Sequence, residues 1–296
     1  MLPPLLVIVG CTASGKTELA LELCQRLGGE IVSADSVQVY RHFDKGTGKP
    51  SAEERARAAH HLIDVVEPTE AMDAARWAEL ANSTISELIQ RGKQPIVCGG
   101  TFLWVRALVY GLAPAPPASA ELRVEHQELA AREGRARLHQ DLAAVDPEAA
   151  ARLAPNDLVR VSRALEVHAL TGVPMSRWQA EHGFRTPRFR ARLLGVSRTR
   201  EELDQRIRAR VEQMLKSGWV EEVEALMARG FGETRAMGSV GYKQIRDALA
   251  TGAAIDLNAL TDTITRATRV FARRQRTWLR EEPVEYVDAL GRDLRL

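Results

Sequence analysis

Aromatic residues make up only 5% of this 296-residue sequence, and cysteine occurs three times. The three thiols, Cys11, Cys24 and Cys98, sit at spacings that match neither a zinc site nor a disulfide framework, so they are expected to be reduced and the fold to rest on its apolar core. No apolar run is long enough to cross a bilayer. The apolar start MLPPLLVIVG also has no basic segment ahead of it, and removing it as a leader would destroy the motif described next, so a cytoplasmic protein is expected. Net charge is nearly absent, with 41 Lys and Arg against 39 Asp and Glu, which argues against a polyelectrolyte overall. Acid is missing locally, however. Arg185 to Lys216 carries ten basic residues against four acids, and Thr265 to Arg280 holds six arginines and no acid. Such runs are either solvated faces or surfaces for a polyanion.

What is present is organised around LLVIVGCTASGKT, residues 5 to 17, an apolar strand running directly into GxxxxGKT. Gly10 and Gly15 bracket a loop of Cys11, Thr12, Ala13 and Ser14 whose amides can face inward. Lys16 adds a point charge, and the Thr17 hydroxyl can hold Mg²⁺ where the next helix begins. That is a socket for a diphosphate. Arg206 and Arg210, four apart on ELDQRIRARVEQML, can add to the clamp.

Further short apolar runs, at EIVSAD (30–35), HLIDVV (61–66) and PIVCGG (95–100), alternate with helical stretches and predict an α/β fold with a parallel, doubly wound sheet. In such sheets ligands bind beyond the carboxyl ends of strands, so Asp35, Asp64 and Thr101 are expected near Lys16. The alternation stops at the proline-rich GLAPAPPAS (111–119) and resumes at RARLLGVS (190–197), closing near VEYVD (284–288). The expected domains are a discontinuous core, 1–112 with 188–296, and a helical insertion, 113–187. Asp35 is the first candidate base, with a Mg²⁺ or water ligand as its other reading; Asp64 reads as a metal aspartate or a turn cap. Thr101 offers a hydroxyl at the close-approach point that Gly99 and Gly100 permit. His60 and His61 are expected on opposite sides of a strand in structural roles, and Tyr242 with Lys243 to line a cleft. Arg266, Arg269, Arg273, Arg276 and Arg280 recur at intervals of 3, 4, 3 and 4, which places them on one helix face, with Ile264, Ala267, Phe271 and Trp278 opposite as the anchor.

These segments together resemble the tRNA dimethylallyltransferase family. The resemblance runs through GCTASGKT, SADSVQVYRHFDKGTGKP, HHLID, GGTFLWVRAL, NDLVRVSRALEVHALTGVPMS, SVGYKQ and TRATRVFARRQRTWLR, nearly end to end. It implies a P-loop NTPase-like sheet with a helical insertion and transfer of a dimethylallyl group from dimethylallyl diphosphate, without ATP consumption. The acceptor would be N6 of adenine 37 in the anticodon stem-loop of tRNAs that read codons beginning with U. Mg²⁺ and a monomeric enzyme are implied as well. Asp35 would act on the adenine amine, and Thr101 and Lys16 would lie at the reacting centre. RNA contacts would fall on Asp35, Ser36, Val37, Gln38 and Thr101, on Arg123, on Val159, Arg160, Val161, Ser162 and Arg163, on Gly241, Tyr242 and Lys243, and on Arg269, Arg273 and Arg276. Cys11 stands where the family usually has Pro, and Phe102 and Trp104 where Gly and Tyr are usual, so Phe102 is expected to narrow the channel beside Thr101. A small-metabolite kinase built on the same loop, and prenyl transfer to a free adenine nucleotide, are the rival readings. A guanine-nucleotide switch is a weaker third, since no NKxD-type sequence occurs.

Overall fold

The computed structural model describes residues 5–294. Its elements run in chain order as β1 (Leu5–Val9), α1 (Lys16–Leu27), β2 (Gly29–Ala34), α2 (Ala52–Arg57), β3 (His60–His61), α3 (Ala74–Gln90), β4 (Gln94–Gly99) and α4 (Phe102–Tyr110). Five helices follow, α5 (Ala120–Glu133), α6 (Arg135–Val145), α7 (Pro147–Arg152), α8 (Leu158–Thr171) and α9 (Met175–His182). The chain ends with β5 (Ala191–Val196), α10 (Arg200–Lys216), α11 (Trp219–Ala228), α12 (Tyr242–Leu249), α13 (Leu257–Leu279) and β6 (Val284–Val287). Among the described residues no helix is long and apolar enough to cross a membrane.

The strands form one parallel sheet in the order β3-β2-β4-β1-β5-β6. All five residues of β1 are buried, as a central parallel strand covered on both faces requires, and this explains a continuous apolar run where an alternating one would leave a face wet. Register decides what the sheet presents at its carboxyl edge. Val9 pairs with Gly99 and Gly99 with Ala34, so Gly10, Gly100 and Asp35 leave three neighbouring strands side by side. The α3 helix is anchored to this edge by Trp77, whose indole N–H donates to the Ser33 carbonyl at 3.0 Å and whose ring stacks on Trp104 at 5.2 Å.

The expected strand over 61–66 is shorter than its apolar pattern suggests. Only His60 and His61 pair with β2, and the chain then turns through left-handed conformations at Leu62 and Asp64, with φ of 60° and 59°. Lys49 explains the turn. Its nearly buried ammonium holds Asp44 at 2.6 Å, Asp64 at 2.5 Å and the Tyr40 carbonyl at 2.8 Å, gathering the loop after β2 around one cation.

The chain divides into two compact units, one made of the chain through Val109 and again from Arg188, the other Tyr110–Pro187. The second unit is entirely helical, around Leu138, Leu142, Ala149, Ala150, Val161 and Ala164. Its polar clasp is Glu166, fully buried on α8. That carboxylate accepts the Ser119 amide, meets Arg163 at 2.9 Å and Arg123 at 3.5 Å, while Arg163 also donates to the Pro116 carbonyl at 2.6 Å. Burial pushes the Glu166 carboxyl up, but the hydrogen bonds from Arg163 and Ser119 and the two guanidinium charges outweigh it and hold it below the ordinary range. A carboxyl depressed in the folded state contributes stability above its unfolded pKa of about 4.3, and loses that contribution as pH falls through the folded value. Breaking a buried ion pair costs about 3–5 kcal/mol, and the partly exposed arginines regain water, so Glu166→Ala should cost about 3 kcal/mol. Urea unfolding followed by far-ultraviolet circular dichroism checks this. A loss below about 1 kcal/mol at neutral pH, or an unchanged acid limb below about pH 4, contradicts the clasp.

Candidate functional site

The loop between β1 and α1 is held open by its own backbone. Gly15 has φ of 102° and Ala13 of 64°, which turns successive amides toward one side before α1 begins at Lys16. The Arg206 Nε donates to the Ala13 carbonyl at 2.7 Å and the Arg198 Nε to the Ser14 carbonyl at 3.1 Å. These bonds point the loop carbonyls away from the ligand side and bring two guanidiniums next to Gly15. The buried Ser14 hydroxyl has no hydrogen-bond partner among the described residues. Cys11 is buried against Leu203, Ile207 and Ala272, so this departure from the usual proline is accommodated by packing on α10 and α13.

Thr12, Lys16 and Thr17 line a cavity of about 430 Å³, together with Asp35, Ser36, Val37, Gln38, Thr101 and Arg210. The Asp35 Oδ1 accepts the Val37 amide at 2.9 Å and the Gln38 amide at 3.2 Å. That fixes the carboxylate's orientation and leaves Oδ2 without a hydrogen-bond partner among the described residues. The Thr101 Oγ1 accepts the Ser36 amide at 3.1 Å, and the Thr101 amide donates to the Ala34 carbonyl at 3.2 Å. The hydroxyl proton of Thr101 is still available to donate. A carboxylate oxygen and a hydroxyl donor therefore line one cavity with the phosphate loop, the hydroxyl holding the Ser36 amide and the carboxylate the Val37 and Gln38 amides of the same turn.

Residues 46–48 form part of the cavity wall and are braced from several directions. The Gln38 amide donates to the Thr47 and Gly48 carbonyls at 3.2 and 2.9 Å and accepts the Ser33 hydroxyl, so its polar atoms are engaged within the protein. Arg210 donates to the Thr47 carbonyl at 3.4 Å. Behind the wall, Glu222 accepts the Asp44 and Lys45 amides and the Tyr242 hydroxyl, and that hydroxyl accepts the Gly46 amide.

Trp219 and Gln275 line the cavity without any expectation from sequence, and His60 and Cys98 line it beside them. His60 donates from Nδ1 to the Ala58 carbonyl at 2.8 Å in its neutral tautomer, leaving Nε2 a buried acceptor without a partner. Burial holds its pKa below the usual histidine value. His61 points the other way, onto Glu30 at 2.7 Å, so the opposed orientation of the pair is as expected. Trp219 lies against Gly46 and Gly241, where a Cβ would stand about 2 Å from its ring. Gln275 reaches in from α13. Cys98, also on the wall, is a buried thiol pushed up to about 11 by burial and by Asp35 against the pull of Lys16.

Several expected site residues are placed elsewhere. Asp64 is not on the cavity wall; Lys49 and Arg55 hold it in the turn after β3. Tyr242 is 1% exposed and its burial raises the phenol pKa, so it belongs to the brace and not to a cleft; Gly241 is buried under Trp219, and Lys243 is exposed outside the cavity. In the helical unit Val161 is core and Ser162 is buried with its hydroxyl 2.8 Å from His126, while Arg123 and Arg163 are engaged by Glu166. Val159 is 81% exposed, and Arg160 is exposed beside Asp157.

The arginine stripe does lie on one exposed face of α13, but its anchor differs from expectation. The buried residues are Leu260, Thr261, Ile264, Thr265, Ala272, Gln275 and Leu279, whereas Phe271 and Trp278 are part-exposed. Trp278 instead stacks under the Arg106 guanidinium at 4.6 Å, and Phe271 lines the cavity rim. Arg269 pairs with Asp204 at 3.2 Å, so one member of the stripe has a counter-charge within the chain.

Phe102 is 5% exposed and is not a cavity-lining residue, which removes the expected narrowing. Phe102→Leu should therefore lower stability by about 1 kcal/mol, with KM for either substrate unchanged within about two-fold. A shifted KM at unchanged thermal stability would return Phe102 to the channel.

Residues 38–282 match the model of the IPP transferase family. The chain is 62% identical over 283 residues to the tRNA dimethylallyltransferase of Sorangium cellulosum, covering 96% of this chain and 90% of that protein. A solved tRNA isopentenylpyrophosphate transferase from Bacillus halodurans superposes with a TM-score of 0.69 at 36% identity, covering 97% and 90% of the two chains. A eukaryotic dimethylallyltransferase captured acting on tRNA superposes with a TM-score of 0.81 at 26% identity, covering 96% of this chain and 73% of the other. With the phosphate loop, the Asp35–Thr101 pair and the braced cavity wall in one site, this chain belongs to the IPP transferase family.

Proposed function

We propose that the protein transfers the dimethylallyl group of dimethylallyl diphosphate to N6 of adenine 37, next to the anticodon, in tRNAs that read codons beginning with U. The observation that carries this reading is the shared cavity: a carboxylate and a hydroxyl at the ends of β2 and β4 face the same space as Lys16 and Thr17. In the reaction the bond between the allylic carbon and the diphosphate oxygen breaks with its electron pair leaving on oxygen. The N6–carbon bond forms, and the amine proton passes to the open oxygen of Asp35. An adenine amine is a weak nucleophile because its lone pair is delocalised into the ring, so a positioned base is worth about 10² to 10⁴ in rate. Lys16, the loop amides and the guanidiniums of Arg198 and Arg206 meet the charge that grows on the diphosphate, and Thr101 donates at the junction of the two substrates.

Hard oxygen donors suit Mg²⁺, which keeps several waters and binds through one or two protein oxygens plus phosphates. The Thr17 hydroxyl on the cavity wall fits that demand, and the ion would supply charge neutralisation to the leaving diphosphate. The adenine must leave its stack to reach a base set at a strand end, which fits an acceptor in a loop. On this reading the protein works as a cytoplasmic monomer.

Labelled dimethylallyl diphosphate with unfractionated tRNA, with and without Mg²⁺, tests the assignment, and ATP should not replace the prenyl donor. Asp35→Asn keeps the acceptor for the Val37 and Gln38 amides but removes the base. Its kcat should fall by about 10²- to 10⁴-fold with tRNA affinity within a few-fold, and near-normal turnover would refute the role of Asp35. For the stripe, tRNA affinity should fall steeply with salt, and Arg273→Ala with Arg276→Ala should flatten the log–log slope by about 0.7 to 0.9 per lost phosphate contact. Arg269→Ala should do less, because Asp204 already neutralises that side chain. An unchanged slope in the double variant means that the stripe does not meet RNA.

A further inference from the structure

Gln275 is a polar residue on the buried side of a helix, 7% exposed, where a leucine would pack with less cost. Both ends of its amide are used, and both reach segments far away in sequence. Oε1 accepts the Thr12 amide at 2.9 Å, and Nε2 donates to the Gly100 carbonyl at 2.9 Å. Glycine at position 100 is part of the arrangement, since a Cβ there would stand 2.4 Å from Nε2. Thr12 belongs to the loop that seats the leaving group; Gly100 immediately precedes Thr101, whose hydroxyl is tied through Ser36 to the turn that orients Asp35. Ala272, one helical turn earlier, packs on Cys11 of the same loop.

We propose that Gln275 is a positioning residue that spaces the diphosphate seat from the proton-accepting side of the cavity by bonding the Thr12 amide and the Gly100 carbonyl at once. This deepens the prenyl-transfer reading and rests on it. Without the amide, the phosphate loop and the β4–α4 junction lose the side chain that bonds both, and each can relax separately. A misplacement of about 1 Å between reacting groups costs about 10²-fold in rate. Because the amide touches no reacting atom, its loss should fall mainly on kcat and on donor binding, leaving tRNA affinity in place.

The decisive variant is Gln275→Glu, which has the same shape. Protonated, the acid still offers a carbonyl acceptor to Thr12 and an O–H donor to Gly100; ionised, it can only accept, and it repels the Gly100 carbonyl. The ratio of variant to wild-type kcat should therefore rise by about ten-fold or more between pH 8.5 and 6, as each unit of pH changes the protonated fraction up to ten-fold. Asp35, Lys16, Cys98 and His60 on the cavity wall, with Cys11 and Arg276 beside the loop, titrate or carry charge in both proteins, so the ratio divides out their own profiles. Gln275→Leu should lose about 10²-fold in kcat with no pH trend in its ratio and tRNA affinity within about two-fold. A flat ratio for Gln275→Glu, or wild-type kcat and KM in Gln275→Leu, overturns the proposal. Wild-type turnover is measured alongside: if it is absent, the prenyl-transfer reading fails by itself. Calorimetry with inorganic pyrophosphate then decides on Gln275, with equal affinity in all three proteins overturning it and a pH-dependent loss in the Glu variant supporting it.

Discussion

Because β1, β4 and β2 pair in parallel with Val9, Gly99 and Ala34 in register, the chain is obliged to leave the sheet at Gly10, Gly100 and Asp35 on one edge. Everything chemical in the core unit follows from that alignment. The loop after β1 provides the anion seat, the residue after β2 the carboxylate, and the turn after β4 the hydroxyl. A slip of one residue in β2 would move Asp35 away from Thr101 and turn each buried side chain of that strand to the opposite face. The buried Ile31, Val32 and Ala34 oppose such a slip, and so does the Thr101 amide held by the Ala34 carbonyl. Catalytic geometry and core packing are therefore specified by the same pairing.

The parts of this arrangement that were legible from sequence are those carried by local pattern. An apolar strand followed by GxxxxGKT, short apolar runs ending in polar residues, and a proline-rich break each report a structure formed within about ten residues. The sheet, the phosphate loop, the position of Asp35 and Thr101, and the all-helical insertion were readable for that reason. What local pattern leaves open shares a cause as well. Asp64 lies in an apolar run that looks like strand, but a lysine fifteen residues away draws its carboxylate into a turn. Tyr242 looks like a surface aromatic beside glycines, yet its partners Glu222 and Gly46 lie in separate segments. Gln38, Arg123 and Arg163 have the polarity of ligand-binding side chains, and each also makes bonds within the protein that no local pattern shows.

The orientation of α13 shows the same limit in its sharpest form. Apolar periodicity alone selects Phe271 and Trp278 as the buried side, whereas the helix buries Thr261, Thr265 and Gln275 beside its aliphatic residues. The rotation is set by what the helix packs against. Gln275 takes up the Thr12 amide of the phosphate loop, while the Thr261 hydroxyl donates back to the Leu257 carbonyl of its own helix, and a hydrophobic-moment argument has no means of seeing either bond. Rotating the helix this way brings Phe271 to the cavity rim and Trp278 under Arg106, and directs the arginines outward.

Charge completes the argument for anionic ligands at two scales. Around the loop, Lys16, Arg198, Arg206 and Arg210 converge on a region where Asp35 is the cavity-lining carboxylate, and Glu202 meets Arg198 at 3.7 Å from the solvent side. Along α13 the pairing of Arg269 with Asp204 leaves Arg266, Arg273, Arg276 and Arg280 on the exposed side of a helix whose last sixteen residues carry no acid. Like charges at helical spacing destabilise the helix that bears them, by a few tenths of a kcal/mol per pair at most when solvated. That cost is small enough to be carried by the buried face, and phosphates bound along the stripe, as proposed, would offset it. The helix that bears the exposed arginines is also the one that contacts Cys11 and Thr12, so the stripe and the phosphate loop are held by one element. A diphosphate and an RNA backbone placed on them would be fixed relative to each other by α13, without either ligand having to order a loop.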